Sequence, residues 1–199
     1  MSEKITHTLV AADLLEWSVY SPTVKTELYS HALVSDEKVV LVDPVLPDAA
    51  TLTAINKLGT PGVILLTSGN HERSAREVAK FLHIPVASPA LAVKEFGFKP
   101  DIIVDDLKQI YGINPVSLSG AGIGEHGYYC PQSRILVLGD AILNLPDGPV
   151  VLPDKYCTDS KQLKTSLTKL LSLDISILAF AHGKAIKNPA AQLKTLLAA

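Results

Sequence analysis

The sequence predicts an α/β (α+β) fold in which two mixed β-sheets pack face to face with helices on the outside. Three observations predict it. Short apolar runs of strand length recur along the chain, and amphipathic helical repeats follow only some of them. The arrangement occurs twice, strands first and strand–helix units second, and no Pro/Gly/Ser-rich linker separates the halves. All 199 residues, 1–199, are therefore read as a single domain.

Residues 6–10, 28–34 and 39–42 are apolar and β-branched, and SDEK at 35–38 joins the last two as a hairpin would. After Asp43 and Pro44 the period changes. Asp48 is placed to cap a helix whose apolar residues Leu52, Ile55 and Leu58 recur every three positions until Gly59 and Pro61 stop it. VILLT at 63–67 reads as a short buried strand. Ala75, Val78, Ala79 and Leu82 then mark a second helix that ends before Pro85. TSGNHER at 67–73, taken by itself, is the capped start of that helix, with His71 and Glu72 in its first turn.

From about 102 to 138 short strand-like runs return, broken by glycines and Pro131. Residues 135–138 form an apolar strand that ends in Gly139 and Asp140. A helix over 161–173 carries Leu163, Leu167, Leu170 and Leu171 on one face. A strand over 175–180 ends before His182 and Gly183, and residues 188–198 close the chain as a helix with Asn188 as cap and Pro189 in its first turn.

Composition narrows the function. With 47% apolar and 19% charged residues the chain is neither disordered nor a disulfide-stapled miniprotein. A domain of this size buries roughly 70% of the surface of its unfolded chain, so a metal would serve chemistry rather than folding. The net charge of −2, without blocks of like charge, gives no basis for binding nucleic acid or an anionic membrane surface. Cys130 and Cys157 share no ligand spacing and read as ordinary thiols in a reducing compartment. No run reaches the ~18 apolar residues of a membrane helix and no signal-peptide core is present, so the expected location is the cytoplasm. Few charges and a mean hydropathy of +0.26 lead us to expect a homodimer.

The chemistry-bearing residues stand where apolar strands end: Asp43, residues 68–73, Asp140 and His182, with His126 supplied by the Gly-rich stretch before Tyr128. In sheets flanked by helices, such termini converge at one edge. Carboxylate oxygen and neutral imidazole nitrogen suit a borderline divalent ion, and three such ligands with one open position bring a bound water to a pKa of ~7. Gly122, Gly124 and Gly127 also fit a dinucleotide fingerprint, but Pro131 follows where that motif needs a helix, so no nucleotide cofactor is expected. His7 and His83 read as surface residues and His31 as structural.

In this order the motifs resemble the metallo-β-lactamase superfamily. LVD at 41–43, TSGNHER at 67–73, EHG at 125–127, GD at 139–140 and AHG at 181–183 stand where that family has an Asp-terminated strand, Thr-His-x-His-x-Asp-His, Gly-His, Gly-Asp and a late His. The resemblance implies a four-layer αββα sandwich and a metal-dependent hydrolase site at its edge. It also implies metal ligands at His126, Asp140 and His182, with Asp43 hydrogen-bonding from behind. The central motif departs from the family: Ser68, Asn70, Glu72 and Arg73 replace His, His, Asp and His. Ser68 and Asn70 are weak neutral donors and Glu72 is one methylene longer than Asp. Arg73 repels a cation and can pair with Asp140 instead.

Two readings follow. In the first, one divalent ion (Zn, Mn or Fe) is held by His126, Asp140 and His182 with help from His71 or Glu72. Asp140, Glu72 and Arg73 are then the candidate catalytic residues, and a small ester, thioester, lactone or phosphoester is hydrolysed. In the second, no metal binds, and Arg73, His126 and His182 form a cationic pocket for a small anion or the chain serves as a structural or interaction subunit.

Overall fold

The computed structural model describes residues 4–198. Strands β1 (Thr6–Ala11), β2 (Leu14–Ser21), β3 (Thr26–Ser35), β4 (Lys38–Val42), β5 (Pro61–Leu65), β6 (Val86–Pro89) and β7 (Ile102–Val104) lie side by side in chain order. The first four pair antiparallel and the last four parallel. Helices α1 (Ala49–Leu58) and α2 (Ala75–Leu82) make the crossovers on either side of β5. The second sheet is built from β8 (Asn114–Ser117), β9 (His126–Cys130), β10 (Ile135–Leu138), β13 (Ile177–Phe180) and β14 (Ile186–Lys187), in the order β14-β13-β10-β9-β8. Between β10 and β13 the chain makes a separate hairpin, β11 (Ile142–Leu145) with β12 (Gly148–Val151), and helix α3 (Ser160–Leu167). Helix α4 (Ala190–Ala198) follows β14.

The central strands bury both faces, which is why they read as unbroken apolar runs. Along β4, Val40 and Val42 point between the sheets and meet Tyr128, Val137 and Ala179 of the second sheet. Leu41 points the other way, into a cluster with Ile55 of α1 and Val78 of α2. On the far side, Leu136, Leu178 and Phe180 pack against Leu163 and Leu167 of α3 and Leu193 of α4. The result is the four-layer αββα sandwich. Asp48 caps α1 by accepting from the Thr51 N–H at 2.8 Å.

Several elements differ from the sequence reading, which held no strand at β6, β11, β12 or β14. Strand β2 was not expected, because Glu16 breaks its apolar pattern. Glu16 is buried nevertheless, and its carboxylate accepts from the Ala185 N–H at 3.0 Å. The long helix of the second half stops at Leu167 and continues as a 3-10 turn over Thr168–Ser172. Helix α2 starts at Ala75, not within TSGNHER: Arg73 is left-handed, with φ 43°, so His71 and Glu72 lie in the loop before the helix. Among the described residues no helix is long and apolar enough to cross a membrane, and Cys130 and Cys157 are free.

Parallel pairing of β4 with β5 and of β10 with β13 brings the C-terminal ends of these four strands to one edge. The sheets are joined there: the Tyr29 N–H of β3 donates to the carbonyl of Ala181 at 2.9 Å, and the Ala181 N–H donates to Leu138 O at 2.9 Å.

Candidate metal centre

Asp43, just beyond β4, is buried and sets the back of the site. Its Oδ1 accepts from the Thr67 N–H at 2.8 Å; its Oδ2 accepts from the Thr67 hydroxyl at 2.5 Å and from His71 Nδ1 at 2.8 Å. Thr67 Oγ1 also lies 2.6 Å from His71 Nδ1, so that nitrogen carries the proton and the opposite one, Nε2, faces the site. His182 is oriented the same way, its Nδ1–H donating to Glu27 O at 3.0 Å. Both Nε2 atoms lie 3.3 Å from one atom, Asp140 Oδ1.

That oxygen is buried and accepts no well-aligned hydrogen bond, although both imidazoles stand at ion-pair distance from it. A buried oxygen without a well-aligned donor is costly. Here it lies between two imidazole nitrogens whose other ring nitrogens are already fixed, the arrangement in which metal-binding histidines are held. The three ligand atoms lie within 4.8 Å of one another. Two imidazoles and a carboxylate suit Zn, Mn or Fe, and the residues fit one such ion. A cleft of about 790 Å³ opens on this triad and supplies the open side.

Charge is balanced within the site. Burial alone would push the His71 imidazole down, but the Asp140 and Asp43 carboxylates reverse this and raise its pKa to about 10. Burial likewise works against the charged forms of Asp140 and Asp43. His71 and His182 hold Asp140 far below the usual carboxylate range, and His71, Arg73 and Thr67 lower Asp43. Without a metal, His71 is thus an imidazolium between two carboxylates, and an ion that binds displaces its proton.

His126, Glu72 and Arg73 do not join this cluster. His126 Nε2 bonds to Asp106 Oδ1 at 2.7 Å and its Nδ1 donates to Gly124 O at 2.8 Å, beside a second cavity of about 360 Å³. The Glu72 carboxylate accepts from the Gly97 N–H at 2.8 Å. Arg73 makes no hydrogen bond to Asp140: Nη1 donates to Tyr29 O at 2.5 Å and Asp43 O at 3.0 Å, and Nη2 to Ala181 O at 3.2 Å. Ser68 is buried with its hydroxyl unpartnered, and Asn70 lines the main cleft.

Two residues beside the site escaped the sequence reading. Thr67 was visible only as the start of its motif. Glu125 is a buried acid whose Oε1 accepts from the Ala141 N–H at 3.2 Å, and burial together with the Asp140 charge pushes its pKa up to about 8. A Cβ on Gly139 would overlap both Glu125 Oε1 and Thr67 Oγ1, so only glycine lets the turn carrying Asp140 pass between them. An acid directly before His126 was its only signal.

Comparison with known structures bears on the fold. The chain is similar to a metallo-beta-lactamase from Pontibacter korlensis, with 18% identity, a TM-score of 0.75, and coverage of 98% of this chain and 99% of that one. It is similar to the DIM-1 metallo-beta-lactamase exposed to ceftazidime at 16% identity and TM-score 0.77, covering 98% and 97% of the two chains. The BLEG-1 B3 metallo-beta-lactamase gives 20% identity and TM-score 0.68 over 89% of this chain and 96% of that one. These likenesses show the fold. No curated protein matches the chain. The family model described as the metallo-beta-lactamase superfamily matches residues 6–199. With the sandwich, the edge site and this match in agreement, the chain belongs to the metallo-beta-lactamase superfamily.

Proposed function

We propose that this protein is a hydrolase that works with one divalent ion, held by His71 Nε2, His182 Nε2 and Asp140 Oδ1, and cleaves an ester, thioester, lactone or phosphoester. One observation carries the reading: the buried Asp140 Oδ1, which accepts no well-aligned hydrogen bond, lies 3.3 Å from two imidazole nitrogens. When bound, such an ion supplies Lewis acidity and brings the pKa of a water beside it toward ~7.

The chain's own residues do the rest. Asp43 and Thr67 hold the His71 ring and its proton at Nδ1, and the Glu27 carbonyl does the same for His182. Asn70 stands in the cleft wall, where its amide can reach a substrate oxygen. Relative to the ligand set expected from the family motif, His71 takes the part assigned to His126. The cationic-pocket reading loses support, because Arg73 is engaged by three carbonyls and His126 by Asp106.

Protein purified without chelator and supplemented with Zn or Mn should carry one ion per chain and hydrolyse nitrophenyl esters or phosphates. His71→Ala should lose both properties. Stoichiometry near zero after supplementation would overturn the reading.

A further inference from the structure

The cleft that opens on the triad is uncharged over most of its wall. Val24, from the turn between β2 and β3, lines it together with Leu28, Leu143, Leu145, Leu152 and Tyr156, beside the hydroxyls of Ser21, Thr23 and Thr26. Val24 is 58% exposed, Leu145 44% and Tyr156 62%. Apolar side chains exposed singly are ordinary, but these line one cleft of about 790 Å³ together with the three triad residues.

Beyond the triad, Arg73 is the one charged side chain in the lining, and its guanidinium already serves three backbone carbonyls. Lys155 does not line the cleft; its ammonium rests 4.6 Å from the centroid of the Tyr156 ring. A carboxylate or phosphate carried on the far end of a ligand would therefore find no uncommitted cationic side chain in the lining to pair with. An alkyl chain laid along the apolar residues would be taken out of water.

We infer that the substrate carries an uncharged, apolar arm of alkyl or acyl type, seated among Val24, Leu28, Leu143, Leu145 and Tyr156, with the bond to be cleaved at the triad. The position of the cleaved bond rests on the hydrolase reading; the apolar arm rests on the cleft alone.

Two series keep these apart. In the first, neutral primary amides from acetamide to octanamide are titrated into protein kept in chelator. Affinity should climb about two- to fourfold for each added methylene, and octanamide should bind far better than suberate monoamide, its counterpart ending in a carboxylate. In the second, metal-loaded protein is given nitrophenyl esters from acetate to octanoate, and kcat/KM should climb with chain length. Leu145→Glu and Val24→Glu, both at exposed positions of the lining, should each flatten both series. A flat amide series, or equal binding of the carboxylate-ended ligand, overturns the inference. If the amides climb while no ester of any length is hydrolysed, the apolar arm stands and the hydrolase reading falls.

Discussion

His71 is bonded to Asp43 on the side of its ring that faces away from Asp140, with Nδ1 2.8 Å from Asp43 Oδ2 and Nε2 3.3 Å from Asp140 Oδ1. One carboxylate fixes the tautomer and the other shares the nitrogen that this leaves facing the site. The ring thus links the end of β4 to the turn after β10, one strand from each sheet.

Asp43→Asn should reverse that tautomer. The amide oxygen can still accept from the Thr67 N–H, which turns its NH2 toward Thr67 Oγ1 and His71 Nδ1. The imidazole then keeps its proton on Nε2, facing Asp140, where it obstructs an ion. Metal affinity, measured by competition with a chromophoric chelator, should fall about 10- to 100-fold. Unchanged affinity would mean that Asp43 does not orient His71.

Stability of the metal-free protein should peak in mildly acidic solution. The folded-state pKa of His71 lies at about 10, above its ordinary 6.5, so its contribution is complete below about 6.5 and is lost as pH rises through about 10. Asp43 and Asp140 are shifted below the ordinary 3.8, so their contributions are present above that value and are lost as pH falls further. These three groups hold the urea midpoint highest between about pH 4 and 6.5; buried His31, lowered to about 3, draws the maximum toward the upper end, and Glu125, raised to about 8, adds to the decline on the alkaline side. Saturating Zn should remove the part of the alkaline decline that belongs to His71, because the bound ion takes the place of its proton. An alkaline decline that is identical with and without metal would place the ion elsewhere.

The sandwich was readable in the sequence because its strands are buried on both faces, which leaves uninterrupted apolar runs ending at Asp43, Asp140 and close to His182. Parallel pairing then gathers those ends. The placement of His71 and His126 was not readable. His71 depends on a left-handed Arg73 that holds the loop out of α2, and nothing local in TSGNHER announces that conformation. His126 occupies the position of a ligand in the motif, but its ring bonds to Asp106, twenty residues earlier, a pairing set by the packing of distant segments. Strand β2 escaped for a similar reason, since the partner of Glu16 is the amide of Ala185 at the other end of the chain.

His126→Ala should leave metal stoichiometry at that of the parent protein. Its two ring nitrogens are taken up by Asp106 and Gly124 O, so the substitution frees Asp106 without removing a ligand atom from the triad. Asp140→Ala should lose the ion, since it deletes the oxygen that both imidazoles face. Elemental analysis of the two variants side by side decides the point, and loss of metal in His126→Ala would restore the ligand set read from the motif.

Arg73→Met should move stability and metal affinity in opposite directions. The guanidinium donates to Tyr29 O and Asp43 O in the first sheet's segments and to Ala181 O beyond β13, so it ties the two sheets together beneath the triad. Methionine fills similar volume but leaves three carbonyls without these donors and removes a cation from beside Asp43. The expected loss is about 1.5–3 kcal/mol, the scale for hydrogen bonds made by a charged group, read from urea midpoints. Metal affinity should rise, because the same cation repels an ion at Asp140. Arg73→Lys should recover the charge but not the stability, since an ammonium cannot reproduce the planar fork that reaches three acceptors. If Arg73→Met instead weakened metal binding and left the midpoint unchanged, the side chain would belong to the binding machinery rather than to the joint between the sheets.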